Sequence, residues 1–496
     1  MSKKKLNRRS PATPYFHENH KRPMTRREFI SQGFLAGSAM VMGPSLLGLF
    51  GHTPDAIAAA AECGIATGGA GKIPFVCFDL NGGGNIAGSN VMVGGKGYLN
   101  EPLTEAGYRK LGMTKKMIDD GFDSSLGLAF QKNSPFLGGI IDTTSAETRA
   151  NTNGAVICAQ SANDTPNNPH NPMYGIYKAG ASGNLVPLIG TRSSVSGGNS
   201  IAPASMIDVK VMPTKIASEN DARGLVDTGK LATLLNGSSS GIVMDTIQRI
   251  SALKLNKITE AQAIKTFLDC GYQQSADQVA SFSDPASLDP TKDANITSIP
   301  GFGLSNGSFA NADIKKTAAV MKLVIEGYAG AGTVEMGGFD YHNKSRSDTD
   351  NKDRAAGQAV GAVLEYAKKN NKPVMVYVFT DGSVSTNGSI DSSGKFVWTT
   401  DEDTTASVFF LVYNPNGRPI LKNSAASQQI GYFRPNGSVE TSATPASNNV
   451  TQLAQTIVLN YMALHNETGQ FDKVIPDQGL GLPTDWDKLV AFEPIV

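Results

Sequence analysis

The chain has 496 residues, with 44 Lys and Arg against 44 Asp and Glu. Without the first 60 residues, which hold nine basic and three acidic side chains, 35 basic residues face 41 acidic ones, a net charge of −6. A mildly acidic chain lacks the basic face that nucleic-acid binding needs, so we expect no nucleic-acid partner. The remaining length is enough for one large α/β domain.

Residues 1–60 predict an export signal rather than a folded segment. Arg26 and Arg27 stand before an uncharged apolar run at 29–50, and a stretch of small residues follows that run. Paired arginines, a mildly apolar run and an Ala-x-Ala site are typical of twin-arginine export signals. We therefore expect the twin-arginine translocase as a partner and a periplasmic or secreted location.

The sequence allows two interpretations of this signal, a cleaved peptide and an uncleaved membrane anchor. Cleavage between Ala58 and Ala61 would release the chain, whereas an uncleaved apolar run is long enough to span a bilayer. Glycines and a proline in the run, together with the small-residue exit, favour cleavage. Glu62 disfavours a lipid anchor on Cys63, because a lipoprotein signal needs a small residue at that position.

The mature chain, residues 61–496, is predicted to form a single α/β domain. Alternating strand and helix patterns from residue 312 onward indicate a mainly parallel sheet with helices on both faces. Two insertions are expected, near 160–215 and 271–311, the first with a small β excursion at 184–215 and the second a long surface loop. Apolar runs predict buried strands at 73–80, 155–159, 333–336, 374–379 and 407–413.

Helical periodicity predicts helices at 221–270, from 312 to about 328, from Asp353 to about 369, and at 451–465. The second of these is expected to begin at an Asn311 or Asp313 cap and to end at Gly330 and Gly332. His465 is expected to cap the last helix as a cation.

The four cysteines and His170 are predicted to have structural rather than functional roles. Outside the cytoplasm disulfides are permitted, and for Cys77 and Cys158 a bond and two buried free thiols are equally favoured. Cys63 and Cys270 complete the set, and no C-x-x-C pair indicates zinc. His170 stands in a polar, proline-rich stretch and is predicted to be solvated.

Acidic residues stand beside three of the predicted strands. Asp340 and His342 follow the strand at 333–336, Asp381 follows the strand at 374–379, and Asp401 and Glu402 precede the strand at 407–413. Loops at the carboxyl edge of a parallel sheet converge, so these side chains are expected to meet. Carboxylates with one imidazole suit Zn²⁺, Mn²⁺, Ca²⁺ or Mg²⁺. From the residues alone, a divalent-metal site and ordinary loop acids are equally supported.

The order of these motifs resembles an exported bacterial family, the domain-of-unknown-function family 1501, related to the alkaline phosphatase/sulfatase superfamily. Members carry Gly-Trp-Asp-Thr-His after one strand, and this chain has Gly338-Phe339-Asp340-Tyr341-His342. Members carry Thr-Asp-His-Gly before a later apolar strand, where this chain has Thr400-Asp401-Glu402. An upstream Arg-Gly-Gly-x-Asp-Gly corresponds to the glycine-rich stretch 81–85. The twin-arginine signal agrees with the family.

The resemblance implies an alkaline-phosphatase-like fold and a metal-dependent hydrolase of phosphate or sulfate esters. Asp340, His342, Asp381, Asp401 and Glu402 would then hold metal. Departures from the family pattern also allow a second reading, a catalytically inactive periplasmic protein that binds a partner or glycan.

Three features of the sequence bear on that choice. Ser89 is the nearest hydroxyl to the position of the superfamily's nucleophile. Asn85 replaces the upstream acid of the family, and Asp79 is the nearest carboxylate that would substitute for it. The small substrate would be an anionic ester or a glycan.

Overall fold

The computed structural model describes residues 71–161, 168–226, 285–423 and 425–496. The export signal, Cys63, Cys270 and most of the helical segment predicted at 221–270 lie outside these residues.

Strands and helices alternate through the described residues. The strands are β1 Phe75–Asn81, β2 Phe122–Asp123, β3 Phe130–Gln131, β4 Thr152–Cys158, β5 Val186–Gly190, β6 Thr214–Lys215, β7 Ala329–Gly337, β8 Val374–Thr380, β9 Val384–Ser385, β10 Thr400–Asp401, β11 Ser407–Tyr413 and β12 Gln429–Ile430. The α-helices are α1 Glu105–Lys110, α2 Lys115–Asp120, α3 Pro135–Thr143, α4 Ala146–Ala150, α5 Met173–Lys178, α6 Glu219–Gly224, α7 Ala294–Thr297, α8 Ala312–Ile325, α9 Arg346–Lys369, α10 Val450–Leu464, α11 Phe471–Val474 and α12 Pro483–Trp486. Short 3₁₀ turns lie at Val209–Val211, Pro285–Leu288, Pro290–Lys292, Asp403–Thr405, Ala425–Gln428, Pro445–Asn448 and Thr468–Gln470.

The centre of the molecule is an eight-stranded sheet in the order β12-β4-β11-β8-β1-β7-β5-β6. Strand β1 pairs in parallel with both β7 and β8, and β5 continues the parallel arrangement from β7 to β6. Strand β11 is antiparallel to both of its neighbours, β8 and β4. The expected α/β class is confirmed, as a mostly parallel mixed sheet.

Helices cover both faces of the sheet. Side chains of β1 alternate, so Val76 and Phe78 enter one apolar core while Phe75 and Cys77 enter the other. We call the first the α8–α9 face, because those helices and α3 contribute to its core. The second is the α5–α10 face, because those two helices contribute to its core. Asp79 continues the register of Phe75 and Cys77, and therefore lies on the α5–α10 face.

The structure corrects two strand and loop predictions. Strands β5 and β6 belong to the central sheet, so the segment 184–215 is not a separate β excursion. In the second predicted insertion, the described part from residue 285 onward contains 3₁₀ turns and α7 rather than an extended loop.

Two helix boundaries also differ from those predicted. Helix α8 has the expected Asn311 cap but ends at Ile325, and Gly330 and Gly332 lie inside β7. Helix α9 begins at Arg346, where a Ser345 capping box fixes it, and not at Asp353. That earlier start takes Asp353 away from the helix terminus and into the interior of α9.

The cysteines and the last histidine take simple structural roles. Cys77 and Cys158 are buried free thiols. His465 caps α10 as expected, but as a neutral ring, since its Nδ1 lies 2.8 Å from the Tyr461 carbonyl and its Nε2 accepts from the Ile73 N–H. Burial lowers the pKa of His465, so the predicted cation is wrong.

Candidate metal centre

The direction of β11 decides which loops meet. Because β11 runs antiparallel to β8, the residues before it lie at the carboxyl edge of β1, β7 and β8. Asp401 precedes β11 and Asp340 follows β7, so both reach that edge. A parallel β11 would have carried Asp401 to the opposite edge of the sheet.

The glycine-rich loop after β1 fixes the loop that holds Asp340. The Phe339 N–H donates to the Asn81 carbonyl at 3.1 Å, and the Tyr341 N–H donates to the Gly83 carbonyl at 3.0 Å. Gly82 has φ +109°, and a Cβ there would lie 2.5 Å from the Asp340 backbone nitrogen. Only glycine fits this position, because both the conformation and the close approach exclude a side chain.

A two-stranded ladder places Asp401. Asp401 in β10 pairs with Val384 in β9, directly after the loop that leaves β8. The Glu402 N–H donates to the Ser383 carbonyl at 2.9 Å and extends that pairing. The position of Asp401 therefore depends on backbone hydrogen bonds to the segment that follows Asp381.

Asp340, His342 and Asp401 form one group at this edge that could hold a metal ion, and we call this candidate site the metal centre. Each offers a ligand atom, and these atoms lie within 4.8 Å of one another. His342 Nδ1 contacts Asp340 Oδ1 and lies 3.3 Å from Asp401 Oδ1. The side chains of Asp340, His342 and Asp401 are 51%, 35% and 33% exposed, so the group is open to solvent on one side.

The donor set fits a divalent cation. Asp340 Oδ1 and His342 Nδ1 are shielded from solvent and contact each other, but neither has a hydrogen-bond partner outside the group. Polar atoms so placed are costly unless something pairs with them. Two carboxylate oxygens and one imidazole nitrogen with an open side are the kind of three-residue set that catalytic metal sites use.

Asp381 does not belong to the metal centre. Its side chain is 2% exposed, and its Oδ1 accepts a hydrogen bond from Asn168 Nδ2 at 2.6 Å. Its backbone N–H donates to the Gly82 carbonyl, so its main chain borders the glycine loop. The structure thus brings Asp340 and Asp401 together around His342 and leaves the Asp381 carboxylate outside their group.

Asp79 lies fully buried on the α5–α10 face. Its Oδ2 accepts from the backbone N–H groups of Asn199 at 2.6 Å and Ser200 at 2.8 Å. The pKa of Asp79 is raised to about 7, mainly by burial and also by the charges of Glu335 and Asp381, while the two hydrogen bonds oppose the rise. Asp79 therefore does not replace the missing acid at the metal centre.

Glu402 and Ser89 are engaged elsewhere. Glu402 accepts hydrogen bonds from the N–H and hydroxyl of Thr404, and it lies 3.5 Å from Lys110 Nζ. Ser89 is 1% exposed, and its hydroxyl accepts a hydrogen bond from Asn85 Nδ2. Neither side chain joins the three-residue group in this conformation.

The prediction that His170 is solvated is wrong. The ring is 1% exposed and stacks on Phe379 at 5.4 Å between ring centroids. Its Nε2 lies 2.8 Å from Ser161 Oγ, and burial lowers the pKa of His170 to about 3. The polar composition of the surrounding sequence concealed a side chain that packs beside β8.

Sequence reasoning also missed a buried group behind the metal centre. Tyr341, between Asp340 and His342, donates a hydrogen bond from its hydroxyl to Asp353 Oδ1 at 2.7 Å. A signal for it exists in the sequence: Asp353 precedes the apolar residues Ala356 and Val360 of α9 at helical intervals.

Comparisons with known proteins found no matching family model, no matching curated protein and no matching solved structure. Within the described residues, no helix is both long and apolar enough to cross a membrane.

Proposed function

We propose that this chain is an exported hydrolase of phosphate or sulfate esters that depends on a divalent metal ion. The convergence of Asp340, His342 and Asp401, with two of their ligand atoms lacking hydrogen-bond partners outside the group, carries the proposal. The mixed sheet with acidic loops at its carboxyl edge supports an alkaline-phosphatase-like fold. The paired Arg26 and Arg27 support export by the twin-arginine route to the periplasm.

The charges around the metal centre favour an anionic substrate. Two carboxylates would balance the charge of a divalent metal ion. The lysine side chains beside them would then be available to bind an anionic ligand. Lys344 Nζ contacts the Asp340 carbonyl, and Lys352 Nζ donates to the Gly337 carbonyl at 3.2 Å. Both lysines are exposed, and in the part of the chain that the structure describes neither ammonium lies within 4 Å of a carboxylate.

The residues of the site have distinct roles in this reaction. A divalent ion bound there would supply Lewis acidity and lower the pKa of a coordinated water. Asp340, His342 and Asp401 would hold the ion, and Lys344 would hold an anionic oxygen of the ester. Ser89 is not placed to attack, because its hydroxyl is buried against Asn85. Water is therefore the expected nucleophile.

A second function is favoured by the same burial of Ser89 and by the position of Asp381. A superfamily enzyme with a serine nucleophile and more acidic ligands would need both residues at the centre. A chain that keeps only three ligands could bind metal, partner or glycan without turnover. This alternative predicts metal binding with no ester hydrolysis.

Elemental analysis and hydrolysis assays of the exported protein distinguish these functions. We expect one equivalent of Zn, Mn, Ca or Mg, and cleavage of 4-nitrophenyl phosphate or 4-nitrophenyl sulfate. Asp340→Asn should remove both, and Asp381→Asn, a matched control at the same sheet edge, should retain the metal. Metal without cleavage would favour the binding protein, and metal-free wild-type protein would contradict the metal centre.

A further inference from the structure

A buried tyrosine connects the two ligands of the Asp340 loop to the interior. Tyr341 lies between Asp340 and His342 in the sequence and is 0% exposed, while both of its neighbours are partly exposed. Its ring stacks on Phe339 at 5.7 Å between centroids. Its hydroxyl donates to Asp353 Oδ1 at 2.7 Å. The loop is therefore anchored at its centre, and its two ligands project from either side of that anchor.

Asp353 joins this anchor to a second segment. It lies in the interior of α9 with 5% exposure, and its Oδ2 accepts a hydrogen bond from Asn90 Nδ2 at 2.9 Å. The Asp353 carboxylate thus accepts one hydrogen bond from a hydroxyl of the loop after β7 and one from an amide of the loop after β1. Each of its two oxygens therefore bonds to a side chain from one of the two loops that border the metal centre.

Asn90 extends the connection in two directions. Its Nδ2 also donates to the Asn85 carbonyl at 2.8 Å, and its Oδ1 accepts from Ser134 Oγ at 2.7 Å. Ser134 is the N-cap of α3, which packs against α9. The hydrogen bonds therefore link the metal loop, the glycine-rich loop and the α3–α9 pair in one buried network.

We propose that Asp353 is a positioning residue, which acts through Tyr341 and Asn90 to hold the ligands of the metal centre in their converged arrangement. The inference rests on the proposed function in that the metal centre is the site it positions. Outer partners that orient metal ligands change metal affinity by roughly 10–100-fold when removed. The Tyr341 ring alone would keep the loop packed, and its hydroxyl would fix the direction of Asp340 and His342.

Tyr341→Phe tests the network, with Tyr366→Phe as a matched control. Tyr366 is also fully buried. It lies within α9, and its hydroxyl is within hydrogen-bond distance of the carboxylates of Asp293 and Glu326. Each substitution keeps a ring and removes a hydroxyl that bonds to carboxylate, one carboxylate for Tyr341 and two for Tyr366. We expect Tyr341→Phe to weaken Mn²⁺ binding about 10-fold in calorimetry, and Tyr366→Phe to leave the Kd within twofold.

A second substitution covers the case in which Tyr341→Phe does not fold. Asp353→Asn keeps an oxygen for the Tyr341 hydroxyl but turns an amide toward Asn90, so it breaks the other branch of the network. It should weaken Mn²⁺ binding in the same direction. Equal Mn²⁺ affinity in wild type and every folded network variant would overturn the positioning role.

A metal-free measurement separates this inference from the proposed function. The ring resonances of His342 should be single and sharp in the wild-type protein and in Tyr366→Phe, and shifted or broadened in Tyr341→Phe. Wild-type protein that binds no Mn²⁺ would refute the metal centre yet leave this test intact. Unchanged His342 resonances in Tyr341→Phe would refute the positioning role itself.

Discussion

Two polar groups lie at the same edge of the central sheet. The metal centre, Asp340, His342 and Asp401, is partly exposed above the glycine loop. The second group, which we call the buried cluster, consists of Asp79, Asp381 and His170 and is at most 2% exposed. Both follow from the same rule that loops gather at the carboxyl ends of strands, but they differ in what their atoms contact.

The difference distinguishes a candidate binding site from buried polar side chains that stabilise the fold. In the buried cluster, Asp79 accepts two backbone N–H groups and Asp381 accepts an amide from Asn168. In the metal centre, Asp340 Oδ1 and His342 Nδ1 contact each other and have no hydrogen-bond partner outside the group. Proximity to a sheet edge therefore does not identify the candidate site. Its distinguishing feature is that Asp340 Oδ1 and His342 Nδ1 have no hydrogen-bond partner outside their own group.

The largest effect should come from the charge of Asp79. Its pKa is raised from 3.8 to about 7, so the folded state favours the neutral carboxyl, and stability is lost as pH rises from 3.8 to 7. This change amounts to about 4 kcal/mol at most for one group. Asp79→Asn keeps an oxygen for Asn199 and Ser200 and should remove that loss, as measured by urea unfolding from pH 4 to 8.

The control for this substitution is Asp477→Asn at an exposed position, which should leave the pH profile of the wild type unchanged. A parallel profile for Asp79→Asn and wild type would show that Asp79 stays ionised in the fold.

His170 should give a somewhat smaller effect of the opposite sign. Its pKa is lowered from 6.5 to about 3, so its contribution to stability is full above pH 6.5 and is lost as pH falls. The loss is about 1.4 kcal/mol per pH unit, or roughly 3 kcal/mol by pH 4.5. His170→Gln should be less stable at pH 7, because ring stacking is lost, but should have a flatter acid limb.

Urea unfolding between pH 7 and 4.5 provides the measurement, with His465→Gln as a comparison at a less buried histidine. If His170→Gln keeps the full acid dependence of the wild type, the ring is protonated or solvated and the buried cluster is misassigned.

The smallest effect should be that of Lys344 on anion binding. An exposed charge pair contributes only about 0.2–1 kcal/mol, so Lys344→Ala should weaken inorganic phosphate binding to the Mn²⁺-loaded protein about 2–5-fold. Lys178→Ala, an exposed lysine of α5, should have no effect. Titration calorimetry at low ionic strength is the measurement, and identical phosphate affinity in all three proteins would remove Lys344 from the substrate site.

Apolar patterning predicted the strands at the centre of the sheet, because β1, β8 and β11 are continuous buried runs with no competing helical period. The positions of acids beside strands also predicted that Asp340, His342, Asp381, Asp401 and Glu402 would meet. The structure brings Asp340, His342 and Asp401 together. Apolar patterning did not predict the direction of β11, since strand polarity depends on the chain path and not on residue spacing. The meeting of Asp401 with Asp340 depends on that antiparallel direction.

Other misses have identifiable physical causes. Asp353 resembled a helix cap because acids favour first turns, but the capping box at Ser345 had already started α9. His170 was predicted to be solvated from local polarity, and Asp381 was predicted to bind metal from its place at a strand end. Instead, His170 packs against Phe379 and Asp381 accepts from Asn168, and both partners are distant in sequence. Local composition does not encode such contacts.

Anomalous scattering from crystals soaked in Mn²⁺ tests the central claim most directly. We expect one strong peak within about 2.2 Å of carboxylate oxygens of Asp340 and Asp401 and of a His342 ring nitrogen. The peak should be absent in Asp340→Asn and present in Asp381→Asn. A peak among Asp79 and Asp381, or none at the Asp340 loop, would contradict the account.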